Sequence, residues 1–359
     1  MKRLLLLFIA FSHLAVLHSQ ERPIINIPDL PGYQTLVCDF HLHTVFSDGK
    51  VWPTVRVDEA LREGLDAIAI TDHLEYLPHK TDIRTDYNRS WQIASAYADG
   101  KGVIVIPGTE ITKGMPPGHF NAIFIKDATP FLNQDYKVAI ETAAGQGAFI
   151  TWNHPGWKAQ QPDTMKWWDE HTWIYEQGWL HGIEVVNDGE FYPEAVDWAK
   201  EKGLTMLGTS DAHGPFLHRD FDAGNHRPLT LVFATEKSAG GIREALFNGR
   251  TAAYNNNQVI GKPAVLNALF LESVHLEKSE TGKHAYTLVN TTALPFQITL
   301  VNKVYDETLR KILLNPGVSF TFELSAQNAL EEIDIRVRNF ITGADETLVV
   351  KLSSLHTEG

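Results

Sequence analysis

Cysteine is nearly absent: the 359 residues contain one, Cys38. A lone thiol closes no intramolecular disulfide, which excludes a disulfide scaffold and the cysteine-rich zinc modules alike. Long apolar runs are missing beyond the N-terminal segment, leaving no later stretch able to span a bilayer. Basic residues are in deficit as well, 31 against 44 acidic, for a formal charge of −13. A surface of that sign repels polyanions and disfavours long nucleic acid as a partner. Internal repeats and low-complexity tracts are also lacking.

The chain opens with MKRLLLLFIAFSHLAVLHSQ: two positive charges, an apolar run, then small or polar residues. That is the order of a secretory signal peptide, expected over residues 1–19 with cleavage near Ser19. The mature protein is therefore expected to be periplasmic or secreted, and more acidic still once Lys2 and Arg3 leave.

From Thr35 to Tyr254 short β-branched runs (TLVCDF, DAIAIT, GVIVIPG, FNAIFI, GAFITWN, GIEVVN, TMLGTS, LTLVFAT) alternate with helical stretches. This is the pattern of repeated βα units and predicts a closed or nearly closed parallel α/β barrel over residues 34–257. In TVRVDEALREG, Thr54 is placed to cap a helix whose apolar stripe is Val57, Ala60 and Leu61, and Gly64 ends it. YPEAVDWAKEKG reads the same way. NNNQVIGKP reads as a linker, and the alternating runs HAYTLVN, FQITLVN, VSFTFEL and EIDIRVRN predict a small antiparallel β-sandwich over 262–355. Such a tail is expected to be a separate module, with the barrel keeping its site when the tail is removed.

The ends of the barrel strands carry the chemistry. His41 and His43 in CDFHLHTVFSDG share one face of an extended segment, because strand side chains alternate. An isolated H-x-H is commonly two surface histidines; here the other strand margins add companions. Asp48 follows in the same loop, His73 lies in TDH, Glu110 in GTE, His119 in GHFN, His154 in NHP, and Asp211 and His213 in SDAHG. Six of the sixteen histidines thus fall where barrel geometry gathers strand ends at one rim. Imidazole and carboxylate donors without thiolate suit zinc, manganese or iron, and a carboxylate such as Glu110 is able to bridge two ions.

Taken together, HLHTVFSDG, TDH, GTE, GHFN, NHP and SDAHG, in this order and spacing, resemble the PHP superfamily, named for polymerase and histidinol phosphatase domains. The resemblance implies a distorted seven-stranded β/α barrel with two or three divalent ions, and hydrolysis of phosphate esters. The N-terminal segment, TDHLEYLPHK and the β-rich tail look most like its exported phosphodiesterase branch. Carried over by motif, His41, His43, Glu110 and Asp211 would hold a first metal. Glu110, His119 and His154 would hold a second, and Asp48, His73 and His213 a third. Some relatives have histidine where this chain has Gly49, so Asp48 serves instead.

Other candidates remain open between function and plain structure. His79, Lys80, Arg84 and Arg89, in the long loop after TDH, are candidate substrate contacts or solvated loop charges. His218, Arg219, His226 and Arg227 after SDAHG are equally ambiguous. Asp72 is either an acceptor behind His73 or a turn residue. Trp152, Trp157, Trp167, Trp168 and Trp173 are core filling by default, with Trp157 near enough to His154 to wall a cleft. The expected activity is hydrolysis of small phosphodiesters by a hydroxide held between the first two metals, with His213, His79 or water protonating the leaving group. Phosphomonoester cleavage, amide or ester hydrolysis on the same platform, and a non-catalytic metal- or glycan-binding module are the alternatives.

Overall fold

All eight apolar runs form strands. The computed structural model describes residues 22–216, 226–278, 284–301, 311–323, 333–355 and 357–358; the expected signal peptide, His218 and Arg219 lie outside the described residues. In chain order the strands are β1 (Gln34–Asp39), β2 (Ala67–Ile70), β3 (Ile104–Ile111), β4 (Phe120–Ile123), β5 (Phe149–Trp152), β6 (Gly182–Asn187), β7 (Glu190–Phe191), β8 (Thr205–Thr209), β9 (Leu229–Ala234), β10 (Thr251–Asn255) and β11 (Gln258–Gly261). The helices among them are α1 (Pro53–Glu63), α2 (Arg89–Ala98), α3 (Tyr136–Gly145), α4 (Asp169–Glu176), α5 (Pro193–Lys202) and α6 (Ala239–Phe247).

The sheet runs β10-β9-β1-β2-β3-β4-β5-β6, with β8 also paired to β6. It is not uniformly parallel, as the βα pattern had predicted. The pairs β1·β2, β2·β3, β5·β6 and β6·β8 are parallel, whereas β3·β4, β4·β5, β1·β9 and β9·β10 are antiparallel. At β3·β4 the reason is connection length. Only a short helix-free loop separates Ile111 from Phe120, too little for the crossover that parallel strands require. Between β8 and β9–β10 threonines substitute for a ladder: Gly208 N–H donates to Thr230 Oγ1 at 3.1 Å, Thr230 Oγ1 donates to the Gly208 carbonyl at 2.8 Å, and Thr251 Oγ1 donates to the Met206 carbonyl at 2.8 Å.

Helix α1 begins at Pro53, whose fixed φ suits the first helical position, so Trp52 is the N-cap and Thr54 is already inside. Val57 and Ala60 are buried as expected, and so are Arg56, Glu59 and Glu63.

The tail is joined to the preceding sheet by backbone pairing. NNNQVIGKP is no linker: Gln258–Gly261 forms a hairpin with β10. After α7 (Pro263–Ser273) come β12 (Val274–Lys278), β13 (Ala285–Asn290), β14 (Phe296–Val301), β15 (Ile312–Leu314), β16 (Ser319–Glu323), β17 (Asp334–Gly343), β18 (Glu346–Lys351) and β19 (Thr357–Glu358). One tail sheet, β16-β13-β12-β19, stands alone, but β14, β15, β17 and β18 extend the barrel sheet through parallel pairing of β11 with β17, Val259 opposite Phe340. A single apolar cluster runs from Val37, Ile68 and Leu231 through Leu266 and Phe270 to Phe296, Val337 and Phe340. Val259, Ile260 and Gly261 of β11 are all buried, so its outer backbone edge needs a partner, and β17 supplies it. Among the described residues no helix is long and apolar enough to cross a membrane.

Candidate metal centre

Past the end of β1 the chain stays extended, and Leu42 is wholly buried on the core side. That directs His41 and His43 together to the other side, with their Nε2 atoms 3.1 Å apart. Asp211, just beyond β8, brings Oδ1 to 3.2 Å from His41 Nε2 and 3.0 Å from His43 Nε2, and Glu110 oxygens lie 3.7 Å from each. Donors around a tetrahedral ion with bonds of about 2.0–2.1 Å stand about 3.3 Å apart, so these four fit one ion.

Glu110, near the end of β3, sits among the other imidazoles. His119 Nδ1 is 3.0 Å from Oε1, His154 Nε2 3.5 Å from Oε1, and His73 Nδ1 2.5 Å from Oε2. His119 reaches this rim from a strand start because β4 runs antiparallel to β3. Asp48 Oδ1 is 3.5 Å from His73 Nε2 and 3.2 Å from His213 Nε2. All nine expected ligands therefore converge, and three overlapping groups have donor atoms within 4.8 Å of one another: His43, Asp48, His73 and His213; His41, His43 and Asp211; His73, Glu110 and His119. Two buried oxygens, Glu110 Oε2 and Asp211 Oδ1, have no properly aligned hydrogen-bond donor. Orphaned buried acceptors among imidazole nitrogens are what a cation completes, so the residues fit divalent ions.

The protonation pattern follows from crowding. Burial alone would lower the His41 pKa, but Asp211, Glu184 and Glu110 hold it well above its usual value. His73 is likewise penalised by burial yet raised to about 9 by Glu110 and Asp48. Burial and the neighbouring His73 push His43 down to about 4. Glu110 and Asp211 are held well below the carboxylate range by surrounding imidazoles, against the penalty of burial.

Several supporting residues were not anticipated. Glu184, on β6 and fully buried, accepts from His41 Nδ1 at 2.8 Å. Arg56 donates to the carbonyls of His43 and Ala212 at 2.9 and 2.6 Å, tying the two loops that carry ligands. Asp39 accepts from Ser210 Oγ at 2.6 Å and from Arg227 at 3.1 Å, and Arg227 also pairs with Glu63. Arg227 is thus a buried brace, whereas His226 stacks on Tyr254. Asp72 does not back an imidazole: it accepts from Thr44 N–H and the hydroxyls of Thr44 and Ser47, shaping the loop to Asp48. Gly49 is required there because a Cβ would lie 2.6 Å from the His43 backbone.

A cavity of about 400 Å³ opens onto this cluster, walled by Asp48, His73, His119, His154, Asp211 and His213 on the ligand side. The rest of its lining is Tyr76, Thr112 and Trp157, with Asn187, Asp188 and Glu190 of the β6–β7 hairpin and Tyr192 just after it. Trp157 is 43% exposed and edges onto both His119 and His154, while Trp152 is core and Trp167, Trp168 and Trp173 are half-buried. His79, Lys80, Arg84 and Arg89 are not on this wall. Glu75 pins its segment to Lys113 and the Thr112 N–H, and the chain beyond Leu77 turns back toward Phe46 and Ser90, carrying the four away. None of the described residues lining the cavity is a lysine or arginine.

No protein-family model matches the chain. Among solved structures, a two-domain protein of Bacteroides vulgatus containing a predicted PHP-like metal-dependent phosphoesterase is 46% identical, with a TM-score of 0.87 over 93% of this chain and 99% of that one. Histidinol phosphate phosphatase of Lactococcus lactis, solved with zinc, L-histidinol and phosphate, is 16% identical with a TM-score of 0.31 over 50% of this chain and 88% of that one. Among curated proteins, an uncharacterised protein of Methanocaldococcus jannaschii is 39% identical over 79 residues, 22% of this chain; the match spans 34% of that relative's length.

Proposed function

The chain belongs to the family of PHP-like metal-dependent phosphoesterases, and from that premise we propose that it hydrolyses small phosphodiesters, outside the cytoplasm as its N-terminal segment suggests. The observation that carries the reading is the cavity: six of the nine ligand-type side chains line it, His41, His43 and Glu110 lie buried behind them, and the carboxylates of Asp188 and Glu190 share the lining. Divalent ions bound there supply Lewis acidity and lower the pKa of coordinated water. As the family resemblance implies, His41, His43, Glu110 and Asp211 would hold the first, Glu110, His119 and His154 the second, and Asp48, His73 and His213 the third.

The chain's own residues do the rest. Asn153 Nδ2 donates to Glu110 Oε1 at 2.9 Å and keeps that carboxylate turned toward the cluster. His213 lies on the cavity wall with Nε2 at Asp48, which raises its pKa against the effect of burial. With that nitrogen given to the third ion and Nδ1 2.8 Å from the Asp211 carbonyl, His213 has no proton free for a leaving alkoxide, and His79 is off the wall, so water is the proton donor this reading favours. Asp188 and Glu190 oppose the added charge of a monoester dianion and suit a monoanionic diester.

One metal-loaded preparation tests this by kcat/KM on a chromogenic aryl phosphodiester, the matching monoester, an aryl ester, an anilide and single-stranded DNA. The diester is expected to be cleaved fastest and DNA poorly. Preference for the monoester makes the protein a phosphatase, efficient DNA digestion makes it a nuclease, and turnover of the ester or anilide alone refutes phosphate chemistry.

A further inference from the structure

We propose that Glu184 is a positioning residue that couples the first and second ion sites, one buried carboxylate holding the His41 ring and the His154 backbone at the same time. The inference rests on the ligand assignment above.

Glu184 is out of place where it stands. Every residue of β6 is buried, and Ile183, Val185 and Val186 around it are apolar. A carboxylate there is costly unless fully bonded. It is: Oε1 accepts from His41 Nδ1 at 2.8 Å and Thr209 Oγ1 at 2.6 Å, and Oε2 accepts from His154 N–H at 2.7 Å and Asn187 Nδ2 at 2.9 Å. Four donors on two oxygens is a demand an amide does not meet, since its NH2 would face donors.

Each half of the carboxylate serves a different ion. With Nδ1–H given to Oε1, the lone pair of His41 is fixed on Nε2, the atom facing His43, Asp211 and Glu110. On the other half, His154 has φ +30°, a left-handed value that a residue with a Cβ seldom adopts. The bond from its N–H to Oε2 helps hold that turn, and with it Nε2 at 3.5 Å from Glu110. Asp48, His73 and His213 make no bond to Glu184, so the third group lies outside its reach.

The test uses Glu184→Gln in the full chain, with zinc as the probe. Chelator competition is expected to show zinc held ten- to a hundredfold more weakly at the sites depending on His41 and His154. The zinc lost on adding Asp48→Ala is expected to be the same in both backgrounds. His41→Ala is the reference: if it binds zinc like the wild type, the ligand assignment itself falls and takes the proposal with it. If His41→Ala loses zinc and Glu184→Gln does not, the positioning role alone is refuted. Uniform weakening of every ion, with loss of cooperative melting, marks Glu184 as merely structural and also overturns it. A measurement on the unaltered protein guards against a variant that does not fold. In histidine-labelled, zinc-loaded protein the His41 Nδ1 proton, assigned by its absence in His41→Ala, should be present and slow to exchange; a proton on Nε2 instead refutes the proposal.

Discussion

Glu110→Gln removes one charge and almost no volume, which makes it a sharp probe of the cluster. The carboxylate is wholly buried, and five imidazoles, those of His41, His43, His73, His119 and His154, approach it within 2.5–3.7 Å. Removing a partner one bond behind a ligand typically costs ten- to a hundredfold in metal affinity or activity. A ligand shared by two ions should cost at least the top of that range. A hundredfold fall in kcat/KM corresponds to about 2.7 kcal/mol of transition-state stabilisation. The assay pairs kcat/KM on an aryl phosphodiester with elemental analysis of the same sample, so that lost ions and misplaced ions are told apart. Glu110→Ala should lose at least as much, with an added cavity. Near wild-type turnover in Glu110→Gln, at full metal content, would sink the shared-carboxylate arrangement.

Asp48→Ala should deplete the third ion while the others stay, and elemental analysis with an unchanged metal ratio refutes that assignment. Truncation at Gly261 removes β17 from β11 and strips Leu266, Phe270 and Phe340 from the shared cluster, so the shortened chain should aggregate; a soluble, metal-loaded barrel would show the tail dispensable. His73 is raised to about 9 in the metal-free protein, so zinc uptake at pH 7 must displace its proton and should tighten as pH rises toward 9. The same shift adds stability that is complete below about pH 6.5 and lost as pH climbs through about 9, so the metal-free melting temperature should fall across that window. A melting temperature rising from pH 6.5 to 9 contradicts it. Asp188→Asn with Glu190→Gln should narrow the gap between diester and monoester; an unchanged ratio means the hairpin does not read charge.

The strands and the ligands were legible because both rest on short-range rules. Eight β-branched runs became eight strands, and alternation alone placed His41 and His43 on one side. Strand direction was not legible at β4, where the short loop from Ile111 to Phe120 overrides the βα rhythm. Glu184 went unread because a strand pattern registers GIEVVN as an apolar run, although one charged residue in a strand buried on both faces was the available signal; Arg56 hid in a helix the same way. The cationic loop shows the opposite limit. Sequence records the charge on Lys80, Arg84 and Arg89 but not that the folded loop leaves all three off the cavity lining. The change of texture marks where the tail begins, while the pairing of Val259 with Phe340 is invisible to local composition.

The threonine-bonded junction between β8 and β9–β10 bears on how the centre and the barrel protect each other. With few amide-to-carbonyl bonds across it, this seam is where backbone hydrogens should exchange first. Asp211 and His213 follow β8 directly, and His41 and His43 follow β1, the neighbour of β9. An ion gripped by both sets would be a clasp across that junction, and its binding energy would count toward holding β8 against β9 and β10. Loading the site and closing the seam would then be one equilibrium, and loss of metal would let the junction breathe as well as empty the site.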